Sequence, residues 1–553
     1  MLAPSFVFTF VSCITLGTPA VQGYSYKHAA RDAFSSTNGL KTRPVQSAAS
    51  ASSGSATGLI NNGDVWYLAE ITLGGSQFIV QLDSGSTDLV LFPDRHIETQ
   101  SVIKDSQINA TYGTGWTAGP IAVAKLEFGG YTIESQAFLN GTSISDWDIQ
   151  YSLPLGIRGI MGVALDTSFS WIHDELDSLY ESQQAQELGR NALANIFHQD
   201  ARLGNFTVVL LGRTDDGEGT GEGYLGIGEY PDGFEDFFTN IKPIDTFTPT
   251  DWSVPVDSVG VNGRMAVSLK SAVKGAPAGK AIANLDTGTG AASVSKEVLD
   301  AMYGGIQDAW WSDDFEAWVV PCLQGAPNIT FTIGGQAYLI HPLDLTDVQD
   351  LRPDYNYTVC TSTFDVLDFD NDEFDFLLGD SFLRNAYASF YYGAFDAKGD
   401  VVKSPSVKLL SPSNGADATY ADFLSRRHQN LASLPPEATK AQLQKAFSQV
   451  QSQSKASDAS VSENAVSTSG DDAGSYQALI DKLDTFAPVV IGMLGAIFVV
   501  LLGLLGLGIT MCIRRGRTVG SGRSLDPTYA PVPLRFKEPE SQYKDEENVR
   551  YHQ

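Results

Sequence analysis

Apolar and polar residues partly alternate from Val65 to Leu73 and stop at Gly74-Gly75, the period of a strand running into a hairpin turn. Similar strand-like runs recur at Phe78–Leu82, Ile121–Phe128, Phe206–Leu211, Ala281–Leu285 and Asn328–Ile333, the last again followed by a Gly-Gly pair. A helical period dominates only over residues 171–197, and Tyr230-Pro231-Asp232-Gly233 is a turn signal that divides two β-rich halves, 63–232 and 233–410. Beyond them the pattern fades. Residues 411–485 are rich in Ser, Ala and Gln and poor in β-branched and aromatic residues, which predicts a largely disordered stalk with short helices such as one near Gln442–Val450. Within it Arg426-Arg427 reads as an exposed processing site.

The termini carry a different pattern. Residues 1–23 hold an apolar run, Phe6–Val11, followed by small residues, and read as a secretory signal peptide although no basic residue precedes the run. Residues 24–62 are polar and Ala/Ser/Gly-rich, a prosegment or a flexible leader. Phe486–Ile513 has no charged residue and is long enough to span a bilayer; Arg514-Arg515-Gly516-Arg517 follows at once. That order predicts a single-pass type I protein with a cytosolic tail at 514–553. In the tail, Tyr529-Ala530-Pro531-Val532 matches a sorting signal only weakly, and Cys512 is a palmitoylation candidate on equally thin grounds.

The chemistry lies in a repeat. Leu82-Asp83-Ser84-Gly85-Ser86-Thr87 returns as Leu285-Asp286-Thr287-Gly288-Thr289, each copy after a strand-like run. Each has a later echo, Ile160-Met161-Gly162 and Leu377-Leu378-Gly379. One such tetrad is an ordinary turn, but a repeated order of this length implies two similar lobes.

Composition narrows the function. The net charge of −29 and pI near 4.5 argue against nucleic acid as a partner, because phosphate binding needs a basic face. They also suit an acidic medium, where self-repulsion falls. The histidines are scattered, without a His-x-x-x-His or Cys-x-x-Cys pair, so neither a metal nor another cofactor is expected. Cys13 falls in the signal and Cys512 at the membrane run, leaving Cys322 and Cys360 as the pair expected to form a disulfide in an oxidising compartment. Sequons at Asn109, Asn140, Asn205, Asn328 and Asn356 fit secretion too.

Taken together, the two Asp-hydroxyl-Gly-hydroxyl motifs, Tyr112-Gly113-Thr114-Gly115 and Gly379-Asp380-Ser381-Phe382-Leu383-Arg384 resemble the pepsin-like aspartic proteases over roughly residues 63–410, and among them the fungal secreted or cell-surface members. The resemblance implies an all-β-dominated bilobal fold with short helices and a monomeric catalytic domain. It also implies a peptidase acting on extended polypeptides between apolar residues, with Asp83 and Asp286 as the catalytic pair. Ser84 and Thr287 would brace the two loops, Ser86 and Thr289 would bond the outer carboxylate oxygens, and Gly85 and Gly288 would permit close approach. Tyr112, Gly113 and Thr114 would form the flap over substrate. The family often has a tryptophan where this chain has Val90, so the donor that anchors the flap tyrosine is missing, and Gly290 stands where a serine is common. The expected activity is acid endopeptidase on the lumenal or outer face of a cell-surface, vacuolar or endosomal membrane. The alternatives are a catalytically silent peptide-binding protein on the same fold and a surface adhesin.

Overall fold

The computed structural model describes residues 56–446 apart from 201, 217–219, 325, 353–354, 368–372 and 396–400. The expected signal peptide 1–23, most of the expected leader, the rest of the expected stalk over 447–485, the apolar run 486–513 and the expected tail 514–553 lie outside the described residues. Among the described residues no helix is long and apolar enough to cross a membrane.

The chain is mostly β with a few short helices. Trp66–Leu73 turns through Gly74 and Gly75 (φ 52° and 78°) into Ser76–Asp83, with Leu73 opposite Ser76. Two positive φ values in a two-residue loop match the right-handed twist of the flanking strands, which explains the glycine pair. Ser76–Asp83 then pairs in parallel with Ile157–Gly162, placing Gly162 beside Asp83. The second half repeats the arrangement, because Ala281–Leu285 pairs in parallel with Phe376–Leu378 and places Leu378 beside Leu285. The sequence echo is therefore a structural one. Strands paired this way are covered on both faces, and Val80, Leu82, Met161, Leu285 and Leu378 are all fully buried.

One continuous sheet joins the halves. Phe206–Leu211 of the first half pairs with Tyr387–Tyr391 of the second, which pairs in turn with Ser406–Leu410. Ala56–Asn62 lies in the same sheet between Thr220–Ile227 and Trp66–Leu73, with Leu59, Asn61 and Asn62 buried. Residues 56–62, within the segment expected as prosegment or leader, are therefore a strand of the first lobe's sheet. Composition hid this strand because only Leu59-Ile60 is apolar within it. The helical stretch 171–197 is three helices, Trp171–Leu179, Ser182–Gly189 and Ala192–Gln199, each too short to carry a long period. Ser170 and Asn191 cap two of them by accepting from the amides of His173 and Ala194.

The stalk reading fails for its first part. Ala416–Leu431 is a helix packed on the body, with Phe423 and Arg427 buried, and residues 440–446 are helical with Leu443 buried. Between them Thr358 donates its amide to Pro436 O at 3.0 Å and accepts from Ala438 N at 2.8 Å. Arg427 is therefore not an accessible processing site; its guanidinium lies against Asp216 at 2.8 Å. An ion pair rather than an apolar stripe docks this helix, so hydrophobic patterning could not find it. Nearby, Cys322 and Cys360 form a disulfide with Cα atoms 5.2 Å apart.

Candidate active site

The two repeated motifs meet head to head. Ser84 Oγ donates to Leu285 O at 3.0 Å and accepts from Thr287 N at 2.9 Å. Thr287 Oγ1 donates to Leu82 O at 3.0 Å and accepts from Ser84 N at 3.0 Å. Each hydroxyl thus gives one bond and takes one across the interface, and both residues are buried. Such a doubly satisfied pair fixes the loops more firmly than either bond alone, because breaking one side strands a buried donor or acceptor.

The carboxylates are held by matching bonds. Asp83 accepts from Gly85 N at 2.8 Å and from Ser86 Oγ at 2.5 Å. Asp286 accepts from Gly288 N and Thr289 Oγ1, both at 2.8 Å. A Cβ on Gly85 would sit 2.6 Å from Asp286 Oδ1, and one on Gly288 would sit 2.2 Å from Asp83 Oδ1. Only glycine lets each loop come this close to the opposite carboxylate. Burial, then the neighbouring Asp286 charge, push the Asp83 carboxyl above its usual range, against the opposing donors Ser86 and Gly85.

Two further carboxyls lie near the pair: Asp380, which the sequence offers only inside the Gly379–Arg384 motif, and Asp88, which no motif contains. Asp380 follows the glycine of the second echo and is fully buried, and neither carboxyl oxygen has a hydrogen-bond partner among the described residues. Burial raises it well above the usual range despite Arg384. Its backbone buttresses the second loop, since Asp380 N donates to Thr289 O at 2.7 Å and Ser381 N to Gly290 O at 3.0 Å. Asp88 accepts from Ser170 Oγ at 2.5 Å and Ile172 N at 3.2 Å at the start of the helix Trp171–Leu179. Burial takes its carboxyl up to about 6. A signal for Asp380 existed, an acid directly after Leu-Leu-Gly, but nothing in the pattern said that it would be unpartnered. Gly290 is explained by crowding, since a Cβ there would lie 2.8 Å from Val65 O.

The stretch expected as the flap is a hairpin of Ile108–Thr111 and Trp116–Gly119, closed by Tyr112 N donating to Gly115 O at 2.8 Å. Ser143–Ile144 adds a third strand against Trp116–Gly119. Tyr112 and Gly113 are half-buried and Thr114 is exposed at the tip. The Tyr112 ring packs on the cluster that includes fully buried Val90, and its buried hydroxyl has no hydrogen-bond partner among the described residues. Of the sequon asparagines, Asn109 and Asn356 are exposed; Asn140, Asn205 and Asn328 are half-buried, and the Asn205 amide donates to Gly393 O at 2.6 Å. Among the described residues no group of three or more His, Cys, Asp or Glu could hold a metal ion.

An ionic cluster ties the lobes behind the site. Asp344 is buried and accepts from Arg384 Nε at 2.6 Å and Asn385 Nδ2 at 2.7 Å, and it pairs with Arg213 of the first lobe. Arg384 also donates to Asp64 O at 2.8 Å. Burial would raise the Asp344 carboxyl, but Arg213 and Arg384 outweigh it and hold it far below the usual range.

These shifts set a direction for stability. Asp88 binds its proton more tightly folded than unfolded, so its contribution is complete below the ordinary value of 3.8 and is lost as pH rises through about 6. Asp344 has the opposite sign and loses its contribution only as pH falls below 3.8 toward its depressed folded value. Over the weakly acidic to neutral range the raised Asp83 and Asp380 carboxyls act in the same sense as Asp88, each contributing less as pH rises, and buried His341, held down to about 4, opposes them. Urea midpoints should fall from pH 4 to pH 7, less steeply in Asp88→Asn. A midpoint that rises over this range would contradict the assignment.

Fold and site together define a bilobal β protein whose halves each bring one carboxylate to a common interface. The model of the eukaryotic aspartyl protease family matches residues 66–398, and the chain belongs to that family. It is 25% identical over 300 residues to aspergillopepsin-1 of Aspergillus clavatus, covering 52% of this chain and 67% of the relative. It is 22% identical over 365 residues to a putative aspergillopepsin A-like aspartic endopeptidase of Arthroderma otae, covering 63% and 75%. Among solved structures, the aspartic proteinase of Irpex lacteus aligns with a TM-score of 0.48 at 18% identity, covering 65% of this chain and 98% of that one.

Proposed function

We propose that the chain is an acid endopeptidase in which Asp83 and Asp286 share one proton and activate a water between them. The observation that carries this is the reciprocal bracing of two carboxyls, with Asp83 raised by burial and by its partner. Two carboxylates this close do not both ionise readily, an effect for which this protease dyad is the standard example. One carboxylate takes a proton from the water while the protonated one donates to the scissile carbonyl oxygen, giving a tetrahedral intermediate without a covalent adduct. Ser86 and Thr289 bond the outer oxygens, and Tyr112 with Gly113 and Thr114 covers the extended substrate and excludes water. No cofactor takes part.

The catalytic unit faces the lumen or the exterior, made with a signal peptide at 1–23 and a prosegment or leader over 24–62. It is tethered as a type I protein through Phe486–Ile513, and it carries glycans and one disulfide. The uncharged run followed by Arg514-Arg515-Gly516-Arg517 supports the tether, and the sequons and cysteine usage support the compartment.

The full-length protein in detergent should cleave a peptide library with a bell-shaped dependence of kcat/KM on pH, centred in acid, because activity needs one proton on the pair, neither two nor none. Peptide binding without cleavage at every pH would favour the silent alternative instead.

A further inference from the structure

We propose that Asn109, on the edge strand of the flap, carries an N-linked glycan whose first sugar packs on Trp116 and stiffens the hairpin over the active site. This rests on the extracytoplasmic reading above. Along Ile108–Thr111 burial alternates, so Ile108 and Ala110 face the body while Asn109 and Thr111 share the outer face. The acceptor amide and the sequon hydroxyl are therefore presented together to solvent. Across the hairpin Asn109 lies opposite Ala118 and Thr111 opposite Trp116, which makes Trp116 the diagonal neighbour of Asn109 on that face. Diagonal neighbours lie within reach of a long or aromatic side chain, and a sugar on the Asn109 amide extends further still.

Trp116 is 37% exposed, a large aromatic presented to solvent on the same face as Asn109 and Thr111. The C–H face of a pyranose fits such a ring. The strand bearing Asn109 is also the outer member of the three-stranded flap sheet, an unpaired edge that a glycan would cover. The flap has reason to need support, because the Tyr112 hydroxyl is buried without a partner and Val90 offers no donor. In the modification the Asn109 amide nitrogen attacks the anomeric carbon of a lipid-linked oligosaccharide. A C–N bond forms, the C–O bond to the lipid pyrophosphate breaks, and the amide loses one proton.

The test uses the full chain made in a eukaryotic secretory host. Glycopeptide mass spectrometry should find Asn109 occupied. Hydrogen exchange over residues 108–119 should quicken roughly two- to ten-fold in Asn109→Gln, Thr111→Ala and Trp116→Ala alike, with the double variant Asn109→Gln/Trp116→Ala no faster than either single one. In the folded wild type, an endoglycosidase that leaves the first sugar should not change exchange, whereas full removal should reproduce the variants. A bare Asn109, or additive effects of the two substitutions, overturns the proposal. If Asn356 is occupied while Asn109 is bare, the compartment reading stands and only this proposal falls; if every sequon is bare, both fall.

Discussion

Asp83→Asn and Asp286→Asn should each lower kcat/KM by about 10^4-fold or more while leaving fold and secretion largely intact, since an amide of the same shape can act neither as the base nor as the acid. The two losses should be equal in kind and should not add, because the pair works through one shared proton. Shape is kept for a specific reason: Gly85 N and Ser86 Oγ donate to the Asp83 carboxylate, and Gly288 N and Thr289 Oγ1 to Asp286. An amide can still offer its oxygen to one of each pair of donors. The NH2 that replaces the other oxygen faces the Ser86 or Thr289 hydroxyl, which can accept as well as donate, so each variant should keep its fold. Ser84→Ala and Thr287→Ala differ in character, since they remove the bonds that join the loops and should alter activity and stability together. Steady-state kinetics on purified variants, with urea midpoints as the control, separates the two cases. Near wild-type turnover in either Asn variant would rule out the shared-proton mechanism.

The parts of this design legible in the sequence are those written locally. Strand, turn and the aspartate loop follow one another within a few residues at both Asp83 and Asp286, so period, glycine pairs and the repeat suffice to find them. Val90 also spoke clearly, because a missing donor is a property of one side chain. What stayed hidden depends on partners distant in the chain. Asp380 looks like any acid after a glycine; that no donor among the described residues bonds its carboxyl depends on residues packed around it from elsewhere in the chain. Ala56–Asn62 is a strand only because Thr220–Ile227 lies alongside it. Arg427 is the sharpest case, since a dibasic pair in a Ser/Ala-rich segment has every local mark of exposure, yet its partner Asp216 is more than two hundred residues away.

That partnership leads to the second large effect. Arg427 is fully buried, and its guanidinium donates to both oxygens of Asp216 at 2.8 and 2.9 Å, to Thr346 O at 2.7 Å and to Thr346 Oγ1 at 3.1 Å. Asp216 belongs to the first lobe, on the connection between Phe206–Leu211 and Thr220–Ile227, whereas Thr346 and the Cys322–Cys360 disulfide belong to the second. The helix Ala416–Leu431 therefore fastens one lobe to the other. Removing one member of a buried ion pair leaves the other charge without compensation, at a cost of about 3–5 kcal/mol. Arg427→Ala and Asp216→Ala should each destabilise by that order. Arg426→Ala should cost under about 1 kcal/mol, since its pairs with Asp215 and Asp422 are largely solvent-exposed. The double change Arg427→Met with Asp216→Leu should recover part of the loss, because a packed apolar pair avoids desolvating two charges, but not all of it, since a leucine would sit at the positive φ of 58° that Asp216 occupies. Truncation after residue 410 should be at least as damaging as Arg427→Ala, for it removes the whole clasp and uncovers Asp216. Urea unfolding of the five proteins decides the matter, and an Arg427→Ala variant no weaker than Arg426→Ala would show that the helix rests on the body without holding it together.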